Sequence, residues 1–441
     1  MKIGIAITTT PKRFEMFQKT YSEICRFAPE NSYIFVYNDK DYKGVSFAKN
    51  KCIEALMAEN CDYLFLFDDD CYPVKEGWND IFINSGLHHS ALTFTKLLNG
   101  RPNGNAIRKK EKGNDWFMNP CGIMLFYTRE CINRVGGMDS RYSKWGHEHV
   151  GHSRRIYNAG LIPYPFICPN GAMDYFWALD QQAFFQGNYT PAEQQKFAKE
   201  GIPIMSEEKS STDWKPYTKQ DYCLGTFFTK NIDVQRRKMM KPDISALQVW
   251  KDSLENIGLI GVIFNDCFKN QSTEYLKFVN TICPRNIDLY NYRYVIYEKW
   301  IKQNYDYIEN IYLTDVTDVE FYQYPQIEKG FLYIGSEEET CDLNWLKGVY
   351  SKFIKKKDYP IETLRGRTLL NCGIIYGHKD DILLLLSNMN TILHGEPFAD
   401  MYALNWIGHN ILNKKVITGY PIHTKFRKNE TKESGAYIRH K

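Results

Sequence analysis

Short apolar runs that end abruptly in polar residues recur along the first third of this chain. Lys2 to Thr8 runs into Thr8-Thr9-Thr10-Pro11, Tyr33 to Tyr37 into Asn38-Asp39, and residues 62–73 read DYLFLFDDDCYP, stopping on Asp68, Asp69 and Asp70. Runs of this length without internal polar alternation predict strands covered on both faces. Between them the period changes: Phe14, Phe17, Tyr21 and Ile24 recur at helical spacing within Lys12 to Phe27. Val45 to Asn60 predicts a second helix, with Lys49 and Asn50 in its first turn. Pro120 to Tyr127 predicts another core strand, followed by a helix from Thr128 that stops at Gly136-Gly137.

The opening is therefore β-α-β-α-β, and right-handed crossovers bring the three strand exits to one sheet edge. That edge is where ligands bind in open α/β sheets. Three adjacent carboxylates repel one another. Their hard oxygens suit Mg²⁺ or Mn²⁺ bridging to phosphates, while the alternative is a solvated acidic turn. No GxGxxG follows the first strand, which excludes the usual dinucleotide fingerprint. On a helix starting near Gly146, Glu148, His152 and Arg155 share a face, with His149 beside His152. His147 and His152 stand five apart, so the zinc-protease pattern HExxH is excluded.

From Asn170 to about Asp252 strand periodicity fades, and Pro191 to Lys199 is helix-like. This stretch is expected to be an elaborated connector. A second α/β pattern starts at Ile257, with a strand at Leu259 to Phe264, a helix at Glu274 to Val279 and a strand at Ile311 to Leu313 that runs into Asp315 and Asp318. A strand at Phe331 to Ile334, a helix with Trp345, a strand at 369–377 and a helix across Asp381 to Leu393 follow.

The 441 residues leave room for two or three domains. A net charge of +4 is too weak to imply nucleic-acid binding alone. The 12 cysteines show no CxxC pair, as expected of reduced thiols in the cytoplasm. The first apolar run is too short for a signal peptide, and no later one approaches the ~20 residues a bilayer requires.

Residues 1–185 resemble a GT-A glycosyltransferase of the inverting, family-2-like type, and more closely those of bacteriophages. The matching pieces are AITTTPKR, VSFAKNKC, FLFDDDCYP and GGMDSRYSKWGHEHVGHSRRIYNAG. The resemblance implies donor binding by Thr8, Thr9, Asp39, Lys49, Asn50 and Asp69, with Mn²⁺ or Mg²⁺ on Asp68 and Asp70. It also implies that Glu148 deprotonates the acceptor hydroxyl. His149 stands where the family has a second acid and, with His152, is a candidate for the metal or acceptor. Residues 255–441 are similar to a second GT-A domain of the retaining, family-8-like type, joined through a helical connector at 186–254. There the implied metal ligands are Asp315, Asp318 and His423, and the implied donor residues are Asn371, Gly373, Asp400, Asn405 and Lys425. The expected fold is thus α/β, with two tandem GT-A domains.

The expected reaction is metal-dependent transfer of a sugar from a nucleotide donor, UDP being favoured by family precedent, to an acceptor hydroxyl. Basic segments at Arg101 to Lys112, Arg236 to Lys241 and Lys425 to Lys441, with Trp116-Phe117 near the first, suit a hydroxymethylated pyrimidine of phage DNA as acceptor. They equally suit solvated faces. The alternatives are transfer to a glycan or virion protein, a non-catalytic nucleotide-sugar-binding protein, and a metal-dependent phosphatase or nuclease.

Overall fold

The computed structural model describes the chain except residues 95–106, 143, 179–188, 234–237, 269–270, 285–286, 354–358, 394–398, 427, 429 and 441. Arg101, Arg236, Arg237, Arg427 and Lys441 of the basic segments lie outside the described residues. The chain forms two compact units, Met1–Thr218 and Lys219–Lys441, each a mixed α/β body.

In the first unit, β1 (Ile3–Thr9) lies between β2 (Tyr33–Asn38) and β3 (Tyr63–Asp68), parallel to both. The register pairs Thr8 with Asp68 and Thr9 with Asn38, so all three polar exits end level at one edge. The helices α1 (Phe14–Phe27) and α2 (Val45–Ala58) make the two crossovers. β4 (His89–Ala91) and β5 (Met124–Thr128) complete a five-stranded sheet, with β5 antiparallel to β3. The predicted strand over Pro120 to Tyr127 is therefore shorter. Residues Pro120 to Ile123 form a loop that returns across the end of β3, where the Ile123 carbonyl accepts the Asp68 amide at 2.8 Å. Thr128 caps α3 (Arg129–Val135) by accepting the Cys131 amide, as its place before the helix predicts.

The stretch expected as a connector is divided between the units. Its helix is longer than predicted: α5 (Pro191–Glu208) packs beside α4 (Glu148–Asn158) within the first unit. At its far end Glu208 is buried and accepts hydrogen bonds from Arg155 and, at 2.7 Å, from the Tyr142 hydroxyl. No strand was expected over Gln220–Phe227 either, yet this segment, β6, is an inner strand of the second unit's seven-stranded sheet. Its Gln-Asp start and its Gly225 mask the pattern. That glycine is needed because a Cβ there would stand 2.1 Å from Val316.

β6 runs parallel to β7 (Ile260–Asn265) and, on its other side, to β9 (Ile308–Thr314). The helix expected over Glu274 to Val279 is instead strand β8 (Leu276–Asn280), parallel to β7, where Leu276 and Phe278 pack into the core. Alternation over five residues outweighs the helix-like composition once a sheet edge is available. All twelve cysteines lie among the described residues, and no disulfide joins them.

Removing one partner of a buried ion pair leaves the other charge uncompensated. Arg155 and Glu208 are essentially inaccessible. Glu208→Ala is expected to destabilise the first unit by about 3–5 kcal/mol, read by chemical denaturation. An unchanged midpoint would show that this clamp contributes little.

Candidate functional site

At the sheet edge of the first unit a cavity of about 330 Å³ opens beside the exits of β1, β2 and β3. Thr8, Thr9, Asp39, Lys49 and all three strand-end aspartates line it. The aspartates are not a free acidic cluster, because two cations are built between them. The Lys49 ammonium lies 2.5 Å from Asp68, whose same oxygen accepts from Thr8 Oγ1 at 3.1 Å. Arg13 reaches Asp69 at 2.6 Å and Asp70 at 2.5 Å. Thr9 donates to the other Asp69 oxygen at 2.7 Å. Burial pushes the Asp69 carboxyl up to about 6 against the pull of Arg13 and Thr9. Asp70 is also raised, by burial first and then by the charge of Asp68.

Arg13 was not singled out from sequence. The signal was present: three adjacent carboxylates demand a cation, and Arg13 is carried back to them by the turn at Pro11. Asp39 is 3 % exposed and accepts the Lys43 and Gly44 amides at 2.8 and 2.9 Å, which fixes the start of α2 and thereby Lys49. Asn50 does not line the cavity. It exchanges two hydrogen bonds with the Met138 backbone, at 2.9 and 2.8 Å, and pins α2 to the loop after α3.

The cavity is also lined by Glu148 and His149. Gly146 and His147 both have positive φ, and this sharp turn starts α4 on Glu148. The Glu148 carboxylate accepts from the Gly146 amide at 2.8 Å and lies 3.1 Å from His149 Nδ1. Burial alone would raise its pKa, but the bond and charge of His149 bring it below the ordinary value. His149 moves the opposite way: burial is outweighed by Glu148 and by the Pro120 carbonyl. A side chain on Gly122 would come within 2.9 Å of the imidazole, so this ring is seated by the loop at Pro120.

His152, expected as a metal candidate, does not reach the cavity. It is buried one turn further on, with Tyr127 Oη at 3.2 Å from one ring nitrogen and the Gly136 carbonyl at 3.1 Å from the other. Arg155, on the same face, serves Glu208 and the Gly137 carbonyl.

In the second unit, Asp315 and Asp318 follow the exit of β9, and the third member of the cluster is His440. One ligand atom from each lies within 4.8 Å of the others. β11 (Ile438–His440) runs antiparallel to β10 (Val319–Phe321), pairing His440 with Val319. His423 was expected there, but its Nε2 accepts the Ser336 amide at 2.9 Å and its Nδ1 lies 2.5 Å from the Thr424 carbonyl. No spacing rule could have chosen His440, since strand pairing alone carries it to the aspartates.

Gly373 lies against this cluster, where a Cβ would stand 2.5 Å from the His440 ring. Asn371 accepts the Gly373 amide at 2.7 Å and donates to Glu337 at 2.9 Å. Asp400 shares Arg293 with Asp315, at 3.0 and 2.8 Å. Asn405 is fully buried against the Leu370 backbone, at 2.8 and 2.9 Å. Lys425 is exposed, 3.4 Å from Glu338.

Among the described residues the group of three acids and histidines close enough to hold a cation is that of the second unit; in the first cavity the feature that suits a hard divalent cation is a single carboxylate oxygen. Asp70 Oδ1 is buried without a hydrogen-bond partner, and such an atom calls for one. Two carboxylates and an imidazole suit Mn²⁺ in the second unit. The aromatic platform expected beside the basic segment is already covered: Trp116 stacks on Tyr164 at 4.8 Å with Lys109 at 4.6 Å from its ring, and Phe117 is buried. Among the described residues, no helix is long and apolar enough to cross a membrane.

Two outcomes follow. Asp69 holds its proton more tightly in the fold than in the unfolded chain, whose ordinary value is 3.8. The stabilisation is complete below pH ~4 and is lost as pH rises through about 6. Asp69→Asn should flatten stability between these values, by on the order of 3 kcal/mol, in denaturation series across pH; an unchanged slope contradicts the assignment. His440→Ala should weaken Mn²⁺ binding about tenfold or more in calorimetry, with His423→Ala near the unaltered affinity. The reverse order would restore His423 as ligand.

No protein-family model matches the chain. It is similar to an uncharacterized glycosyltransferase of Acanthamoeba polyphaga mimivirus, 28% identical over 144 residues, which are 31% of this chain and 54% of that protein. The chain thus spans about half the length of the curated relative it matches.

Proposed function

We propose that the chain is a nucleotide-sugar-dependent glycosyltransferase whose first unit transfers a sugar to an acceptor hydroxyl near Glu148. The observation that carries the reading is a cavity lined both by strand-end hydroxyls and carboxylates and by a buried glutamate at a helix start. The similarity to a viral glycosyltransferase supports the same class.

In this reading the diphosphate lies at the exits of β1 and β3. Mn²⁺ or Mg²⁺ held by Asp68 and Asp70 would supply charge neutralisation for the leaving diphosphate. Lys49 and Arg13 hold those carboxylates apart and aimed. Glu148 accepts the proton of the acceptor hydroxyl, the new bond forms between that oxygen and the anomeric carbon, and the bond from that carbon to the diphosphate breaks. His149 keeps the Glu148 carboxylate turned into the cavity and ionised. One displacement from the face opposite the leaving group inverts the anomeric centre. Asp315, Asp318 and His440 would hold the cation of a second donor site, with Asn371, Gly373 and Asp400 around it.

The test is a screen of UDP- and GDP-sugars with Mn²⁺, read by nucleotide release against modified DNA, plain DNA and glycan acceptors. Acceptor-stimulated release is expected, and Glu148→Gln should lower turnover roughly 10²–10⁴-fold with donor affinity kept. Full turnover in that variant would remove Glu148 as base. Cleavage with no nucleotide sugar present would favour a phosphatase or nuclease.

A further inference from the structure

The first cavity has a wall that sequence motifs did not indicate. Tyr189 and Gln194, at the start of α5, line it together with Thr9, Asp39 and Arg13. The position of Tyr189 within the cavity follows from its neighbours. Its hydroxyl feels the charges of Asp39, Glu193 and Tyr42, and Glu193 in turn feels Lys12. Lys12 sits 5.6 Å from the Tyr42 ring. Tyr189 therefore lines the cavity on the side of Asp39, at the exit of β2.

The rest of α5 explains how this wall is held. Ala198 and Gly201 pack against the turn at Gly146, and Glu208 locks the far end onto Arg155 and Tyr142. Thr190 and Glu193 close the near end with a reciprocal capping box. The Tyr189 ring meets Phe197 edge-on, with centroids 5.2 Å apart at 76°. An edge-on neighbour sets the ring plane while leaving its faces for other contacts. Beside it, the partly exposed Gln194 amide donates one N–H to the Tyr189 carbonyl at 3.4 Å, which ties the two residues together, and keeps its oxygen and second N–H as acceptor and donor.

A planar aromatic surface next to an amide is the combination that recognises a heterocyclic base: every base has a π-face to stack, and the amide reads an edge. We propose that Tyr189 stacks on the base of a nucleoside diphosphate in the first cavity and that Gln194 reads the edge of that base. This inference rests on the donor site proposed above and adds the residues that would set its nucleotide preference.

Calorimetric titration of the full chain tests it, with Asp315→Asn and Asp318→Asn present so that the first cavity alone is read. The probes are UDP, GDP and inorganic pyrophosphate, each with Mn²⁺. Tyr189→Ala should lose about tenfold to a hundredfold in affinity for the nucleotides with pyrophosphate binding unchanged. Tyr189→Phe should bind them as the unaltered chain does, and Gln194→Ala should shift the ratio of UDP to GDP affinity. Unchanged nucleotide affinity in Tyr189→Ala overturns the inference and leaves the proposed transferase standing. Equal loss for nucleotides and pyrophosphate overturns it too, since the residue would then merely hold the cavity open. If the chain with Tyr189 intact binds no nucleotide, both readings fall.

Discussion

Three carboxylates in succession at the end of a buried strand are the constraint around which the first unit is arranged. At 4 Å and an effective dielectric of about 20, each like-charge pair costs about 4 kcal/mol, which a marginally stable domain cannot absorb unaided. Lys49 from one crossover and Arg13 from the other supply the compensation, and each is fixed in turn. Asp39 pins the start of the helix that carries Lys49, and Thr9 shares Asp69 with Arg13. The polar exits of all three parallel strands thus form one interlocked layer, in which Asp70 Oδ1 and Asn38 Oδ1 are buried without a hydrogen-bond partner.

Much of this was readable from the chain. The strand exits were legible because a buried parallel strand has a simple signature; that Thr8 stands opposite Asp68 is set by the register of the sheet. The Gly146 turn and Glu148 were legible for a related reason, since a glycine before an acid at a helix start is a local feature. What local pattern could not reveal depended on pairing across distance. β6 hides its strand character behind Gln220, Asp221 and Gly225, and its burial is visible only once β7 and β9 flank it. His440 and His423 both sit near the end of the chain, and only the antiparallel partnership of β11 with β10 decides which meets Asp315. His152 shares a helical face with Glu148, yet one turn of helix carries it from the cavity into the core beneath.

The two units place acids at equivalent points but compensate them differently. In the first, two cations are divided among three carboxylates. In the second, Arg293 is divided between Asp315 and Asp400, and an imidazole completes the cluster. A chain whose units bound cations through different ligand sets would show two classes of metal affinity.

The most direct examination is a crystal structure of the chain with UDP and Mn²⁺. The metal is expected on Asp68 and Asp70 in the first unit, with the diphosphate beside it and the open space beyond the terminal phosphate facing Glu148. Nucleotide found only outside that cavity, with the strand-end aspartates still closed on Lys49 and Arg13, would contradict that expectation.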